Sequence, residues 1–310
     1  MSVAFVFPGQ GAQTIGMGRD LAEAYPAARA VFEEVDEALG EKLSALIWEG
    51  DLETLTLTQN AQPALMATSM AVMRALQAEG IGIGRASFVA GHSLGEYSAH
   101  CAAGTLSIAD TARLLRTRGK AMQDAVPVGV GAMAALLGLD FEAVTEVALE
   151  AAQGEVCQAA NDNDPAQVVV SGHKGAVERA IDIAKAKGAK RAVMLPVSAP
   201  FHCALMAPAA DVMADALKGV KMADPAVAIV PNVTAEGCSS VPTLNKLLVE
   251  QVTSSVRWRE SMIWMAGQGV TEIWEIGAGK ALSGMVRRID RSIATRALSG
   301  PDDIKAALEA

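Results

Sequence analysis

Short runs at residues 3–7, 87–90, 227–230 and 272–276, each followed directly by a glycine or a proline, read as buried strands. Longer stretches of helical character lie between them, at 20–38, 63–79, 108–124, 204–217 and 257–267. Strands alternating with helices predict an α/β fold, a parallel sheet covered on both faces. The central block has a different rhythm. It reads as a strand at 132–137, a helix at 140–152, strands at 156–160 and 167–171, a helix at 174–187 and a strand at 191–195. The turn-rich Asn161-Asp-Asn-Asp-Pro165 is expected to join the middle strands. That β-α-β-β-α-β order is the ferredoxin-like split βαβ pattern. The chain is therefore expected to divide into a large α/β part, 1–127 with 198–310, and a small inserted part, 128–197.

Composition narrows the function classes. Hydrophobic residues make up 51% and charged residues 20% of the 310 positions, enough to bury a sizeable core and to exclude global disorder. A net charge of -9 argues against a nucleic-acid binder. Two basic runs, Arg113-Leu-Leu-Arg116-Thr-Arg118-Gly-Lys120 and Lys185-Ala-Lys187-Gly-Ala-Lys190-Arg191, read by themselves as solvated helix faces. The four cysteines are scattered, without the CxxC spacing of a zinc site. The run at 3–7 is too short for a signal peptide, and that at 128–139 too short to span a bilayer. A reduced, cytoplasmic protein is the expectation.

The sharpest motif is Gly91-His92-Ser93-Leu94-Gly95, a GxSxG pattern. The pattern alone is common. Its setting, directly after an apolar strand and directly before a helical segment, is what a nucleophile elbow requires. Glycines on either side permit strained backbone angles and close neighbours. Ser93 then stands at a helix N-terminus, where free N–H groups and the helix dipole favour developing negative charge. A serine nucleophile needs a base that titrates near neutrality, and the chain has four histidines. His92 adjoins the serine but should diverge at a sharp turn. His100 lies seven residues on, roughly ten ångströms along the same helix. His173 sits at a strand end in the small part and reads as a surface turn residue. His202 follows a strand and precedes a helix, with Pro200 and Phe201 fixing its approach, and is the candidate base. Acyl transfer also needs two N–H donors for the oxyanion. Leu94, next after the serine, is one candidate. Gln10, between two glycines in the loop after the first strand, is the other.

Together these segments resemble the malonyl-CoA:acyl-carrier-protein transacylase family, the free-standing type of bacterial fatty-acid synthesis. The resemblance runs over nearly the whole chain. It includes Phe7-Pro-Gly-Gln-Gly-Ala-Gln13, Thr58-Gln-Asn-Ala-Gln-Pro63, Gly91-His-Ser-Leu-Gly-Glu-Tyr97, Arg118-Gly-Lys-Ala-Met-Gln123 and Gly131-Ala-Met133. It continues through Ala160-Asn-Asp-Asn-Asp-Pro-Ala-Gln167, Val197-Ser-Ala-Pro-Phe-His202 and Glu275-Ile-Gly-Ala-Gly279. It implies a hydrolase-like parallel-sheet domain carrying an inserted ferredoxin-like subdomain. It implies that Ser93 carries the acyl group, that His202 is the base, and that Gln10 and Leu94 supply the oxyanion N–H groups. Arg118 would bind the free carboxylate of the malonyl group, and the Gln251 carbonyl would orient the histidine, so no acidic third member is needed. Asn161 and Asn163 would shape the loop beside the site.

The resemblance further implies a ping-pong transfer from malonyl-CoA to the phosphopantetheine thiol of acyl carrier protein, with no metal or redox cofactor. Phe201 before the histidine resembles malonyl-selective members. His100 and Cys203 stand where an apolar residue and a serine or similar residue are expected. The carrier is acidic in the family and this chain is acidic too, so docking would need a local basic patch, with Lys185, Lys187, Lys190 and Arg191 as one candidate. A serine thioesterase and a polyketide-pathway acyltransferase are the alternatives.

Overall fold

The computed structural model describes residues 2–197 and 199–309. Ser198, inside the 197–202 motif, lies outside them, as do the terminal residues of the expected division. Nine strands form two sheets. In chain order they are β1 (Ser2–Phe7), β2 (Ala86–Gly91), β3 (Gly131–Leu137), β4 (Cys157–Asp164), β5 (Gln167–His173), β6 (Arg191–Met194), β7 (Ala228–Val230), β8 (Val270–Ile276) and β9 (Ala294–Leu298). The larger sheet has the order β7-β2-β1-β8-β9 and is parallel throughout. The smaller is antiparallel, in the order β4-β5-β3-β6, with the helices Phe141–Ala152 and Lys174–Ala186. This is a mixed α/β fold with a ferredoxin-like second sheet.

The strand at the centre of the large sheet explains its stability. Residues 3–7 of β1 are all fully buried. Val3, Phe5 and Phe7 enter one apolar layer while Ala4 and Val6 enter the other, the two-residue period of a strand covered on both sides. Phe5 stacks on Trp274 of β8 at 5.4 Å. The helices expected at 20–38 and 63–79 differ in detail. The first breaks at Tyr25, because Pro26 disfavours helical geometry in the residue before it and opens a new helix, Pro26–Leu39. The second begins at Thr58, upstream of Pro63.

The expected turn at 161–165 is a correction. Residues 161–164 continue β4, and only Pro165 and Ala166 separate it from β5. Four consecutive Asn and Asp side chains read as a turn because they solvate readily. Here the large part of the molecule supplies their partners. Arg259 pairs with Asp162 at 2.9 Å and Arg288 with Asp164 at 2.7 Å, while Val256 bridges Asn161 backbone to backbone. These bonds fasten the small sheet to the helices Trp258–Gly267 and Ala281–Ile289 and to the loop before the first of them. Among the described residues no helix is long and apolar enough to cross a membrane.

His100, on the helix Leu94–Ala102, is fully buried and neither ring nitrogen has a partner. Burial pushes its pKa down to about 3. The unfolded chain therefore takes up this proton first. The neutral ring contributes full stability above about pH 6.5, and that contribution is lost as pH falls toward the folded value. Replacing His100 with Leu should leave the unfolding free energy from urea titrations falling less steeply between about pH 6.5 and 5, by up to about 1.4 kcal/mol per pH unit, with no difference in slope above that window. Parallel curves for the two proteins would show that this histidine does not control acid lability.

Candidate active site

The site lies beyond the carboxyl ends of β1, β2 and β7, where ligands bind in open parallel sheets. Phe7 pairs with Gly91, so the loop after β1 lies beside the turn after β2, and His92 N–H donates to the Phe7 carbonyl at 3.0 Å. Ser93 stands at the turn with φ 53° and ψ -111°, directly before the helix Leu94–Ala102. The strained angles belong to the serine itself, and neither Gly91 nor Gly95 is left-handed. The two glycines serve close approach instead: a Cβ at Gly91 would collide with the Gly95 carbonyl, and one at Gly95 with the Phe7 carbonyl oxygen. Among the described residues four non-glycine ones have positive φ, and two of them are Ser93 and His202 (φ 58°). Strained backbone gathered at one place is a mark of function.

A cavity of about 330 Å³ contains Gln10, Ser93, Leu94, Arg118, Phe201 and His202 in its wall. Ser93 Oγ lies 2.7 Å from His202 Nε2, and His202 Nδ1 lies 3.0 Å from the Gln251 carbonyl. A carbonyl only accepts, so Nδ1 carries the proton and Nε2 accepts from the serine hydroxyl. Burial and the nearby Arg118 charge hold this imidazole neutral, its pKa down to about 3. Arg118 is 1% exposed. Its Nη1 donates to Gln62 Oε1 at 2.8 Å, and its Nη2 donates to Gln251 Oε1 at 2.8 Å and to Ser93 Oγ at 3.2 Å. Burial lowers its pKa. Its acceptors here are neutral, so its charge remains available to an anion in the cavity. Leu94 opens its helix, so its N–H belongs to the first turn, whose donors lack intrahelical partners.

All six sequence candidates converge here: Gln10, Ser93, Leu94, Arg118 and His202 on the cavity, Gln251 immediately behind it. Of the other histidines only His92 lines the cavity, and none of the three is bonded to Ser93 Oγ. His92 Nε2 pairs with Asn163 Oδ1 at 2.8 Å, His100 is sealed in the core, and His173 is half-buried with its Nδ1 accepting from Val156 N–H at 2.9 Å. Three residues escaped the sequence reading. Gln62 holds Arg118. Asn232 Oδ1 accepts Ser93 N–H at 2.8 Å. Glu96, wholly buried, accepts from Asn232 N–H and from Gln251 Nε2, each at 2.8 Å. Burial raises the Glu96 pKa to about 7. The signal for Asn232 was its place after the β7 run, at the same sheet end as Ser93. The described residues hold no cluster of His, Cys, Asp and Glu able to take a metal ion.

The family model for the acyl transferase domain matches residues 4–276. The malonyl CoA-acyl carrier protein transacylase of Bacillus subtilis (strain 168) is 48% identical over 308 residues, covering 99% of this chain and 96% of that protein. The chain belongs to this transacylase family. The protein of the same name from Escherichia coli (strain K12) is 47% identical over 307 residues, 99% of this chain and 98% of its own. Among solved structures, acyl-carrier-protein-S-malonyltransferase from Bartonella henselae aligns with a TM-score of 0.98 at 55% identity, covering 100% of this chain and 99% of that one. A malonyl-transacylase in complex with a type II PKS acyl-carrier protein aligns with a TM-score of 0.96 at 44% identity, covering 100% and 99%.

Proposed function

We propose that this chain transfers the malonyl group of malonyl-CoA to the phosphopantetheine thiol of acyl carrier protein, supplying extender units for fatty-acid synthesis. The observation that carries this reading is one cavity holding a Ser93–His202 pair and a buried arginine that makes no ion pair with a carboxylate among the described residues. His202 Nε2 takes the Ser93 proton as Oγ attacks the thioester carbonyl. Leu94 and Gln10 N–H groups stabilise the oxyanion. The C–S bond breaks, the coenzyme A sulfur takes the proton from His202, and a malonyl-Ser93 ester remains. The carrier thiol then gives its proton to His202 and attacks that ester. Collapse returns the proton to Ser93 Oγ and releases malonyl-carrier. Arg118 pairs with the malonyl carboxylate through charge-assisted bonds, and the Gln251 carbonyl keeps His202 in the right tautomer.

In this reading 1–127 with 198–310 form the catalytic part, 128–197 forms a small ferredoxin-like part, and the reaction takes place in the cytoplasm. A relative bound to a type II PKS carrier makes a polyketide carrier the second reading. The deciding experiment is intact-protein mass spectrometry after brief exposure to malonyl-CoA. A single malonyl adduct, absent from Ser93→Ala and discharged by added carrier, is the expected result. Discharge as fast by water alone would mark a thioesterase, and no adduct on folded protein would sink the donor assignment.

The carrier surface can be narrowed. Lys185 and Lys187 are committed to Asp182 (3.6 Å) and Glu150 (2.9 Å), whereas Lys190 and Arg191 are exposed and have no ion pair among the described residues. Reversing the charges of Lys190 and Arg191 should raise KM for the carrier about ten-fold, with a weaker salt dependence and unchanged adduct formation from malonyl-CoA. An unchanged carrier KM would remove this patch from the interface.

A further inference from the structure

Ser93 is held at both its backbone N–H and its backbone carbonyl by side chains distant in sequence. Asn232 Oδ1 accepts its N–H at 2.8 Å, and Gln251 Nε2 donates to its carbonyl at 3.0 Å. Asn232 Nδ2 also donates to the Gly91 carbonyl at 2.7 Å, on the strand side of the same turn. Ser93 sits in a backbone region that costs on the order of 1–3 kcal/mol, so something must hold it there. Both holding residues meet at a single atom. Glu96 Oε2 accepts the Asn232 backbone N–H and the Gln251 side-chain amide, while Glu96 Oε1 has no partner.

That atom also decides which way the Gln251 amide faces. A carboxylate oxygen aimed at Gln251 accepts and does not donate, so the amide must turn its NH2 inward. Its Oε1 then faces Arg118 Nη2, where it is found at 2.8 Å. With the amide reversed, an NH2 would face a guanidinium, two donors with nothing between them, and the Ser93 carbonyl would keep only the Glu96 N–H at 3.0 Å as a donor. Glu96, Asn232 and Gln251 are fully buried, so water cannot substitute for any of these bonds.

We propose that Glu96 is a positioning residue for acyl transfer, holding the strained Ser93 turn through Asn232 and Gln251 and fixing the Gln251 amide so that its oxygen faces Arg118. This rests on the reading of Ser93 as the nucleophile. Glu96 touches neither Ser93 Oγ nor His202, and acts through its two partners. What it supplies is an acceptor oxygen at one place, not a charge. A proton would go to the unpartnered Oε1 and leave Oε2 accepting, so the arrangement survives on either side of neutral pH.

The test separates place from charge. Glu96→Gln keeps an acceptor oxygen at the Oε2 position and sends its NH2 to the unpartnered side. Glu96→Asp keeps the charge but withdraws the oxygen by one methylene. Each folded variant is measured twice: by the rate at which a fluorophosphonate probe labels Ser93, and by the maximal rate and half-saturation of adduct formation from malonyl-CoA. Glu96→Gln should remain within about three-fold of the parent in both rates. Glu96→Asp should lose about ten- to a hundred-fold in both, with half-saturation changed by less than about three-fold, as misplacement of a reacting group does. The reverse order would overturn the proposal in favour of a charge role. Parental rates in Glu96→Asp would reduce Glu96 to a buried structural residue. If the parent is labelled at Ser93 but takes no malonyl adduct, the acyl donor is wrong, and the labelling rates still decide the role of Glu96.

Discussion

Replacing His202 with alanine should slow malonyl transfer by about ten-thousand-fold or more, with the fold and the binding of malonyl-CoA retained. No other group in the cavity can do its work. Arg118, 3.2 Å from Ser93 Oγ, is a donor and cannot take a proton. His92 lines the cavity too, but its Nε2 is engaged by Asn163 Oδ1 at 2.8 Å. Without Nε2 at 2.7 Å the serine hydroxyl stays protonated, and only the oxyanion donors and substrate binding remain. The parent enzyme carries a second expectation. Because burial and Arg118 hold the free His202 near 3, its protonation should cost no activity between about pH 8 and 5, whereas an ordinary histidine would titrate near 6.5. Stopped-flow adduct formation measured in both proteins across that range checks both points. Loss of under ten-fold in His202→Ala would place the base elsewhere.

Ser93 was legible because an apolar strand gives way to a turn there, and His202 because it lies between a strand and a helix and the other histidines could be set aside by spacing. The strands β1, β2, β7 and β8 were legible for a related reason: each is a short, largely buried run that ends in glycine or proline, even though β8 carries the buried Glu272 and Glu275. The strand β9 (Ala294–Leu298) was not, since it lies at the sheet edge, is partly exposed and contains Thr295 and Arg296. The Asn161–Asp164 stretch failed for a different cause. Nothing local says that Arg259 and Arg288, about a hundred residues away, will neutralise its aspartates. The same distance hid the bracing of the site. Asn232 and Gln251 reach Ser93 across 139 and 158 residues, and a polar residue carries no periodicity to announce such a bond. The resemblance to a family supplied Arg118 and Gln251, which by themselves read as a basic helix face and an unremarked glutamine. It included Glu96 in a matching motif but gave it no role, because its burial is visible only in three dimensions.

Replacing Arg118 with alanine should cut malonyl transfer by about a hundred- to a thousand-fold and acetyl transfer by less than about ten-fold. The first figure follows from leaving a malonate carboxylate in a cavity with no cationic partner, a cost of about 3–5 kcal/mol for breaking a buried pair. The second follows from what Arg118 does to the base. Its charge is the second cause, after burial, of the depressed His202 pKa. A malonyl carboxylate laid on the guanidinium cancels that charge, so the acidic acyl group restores basicity to the histidine that must activate Ser93. Acetyl brings no such charge, and removing the arginine gives its transfer the same relief. Two opposing losses remain in the variant: Gln62 and Gln251 each lose a donor to a buried oxygen, and Glu96 loses its nearest cationic influence. The latter raises the Glu96 pKa further, and the carboxyl takes up a proton instead of remaining a buried anion. Adduct formation from malonyl-CoA and acetyl-CoA, compared in both proteins at saturating donor, separates these effects. Equal losses for the two acyl groups would make Arg118 a structural residue and leave the preference for an acidic acyl group without a cause in this cavity.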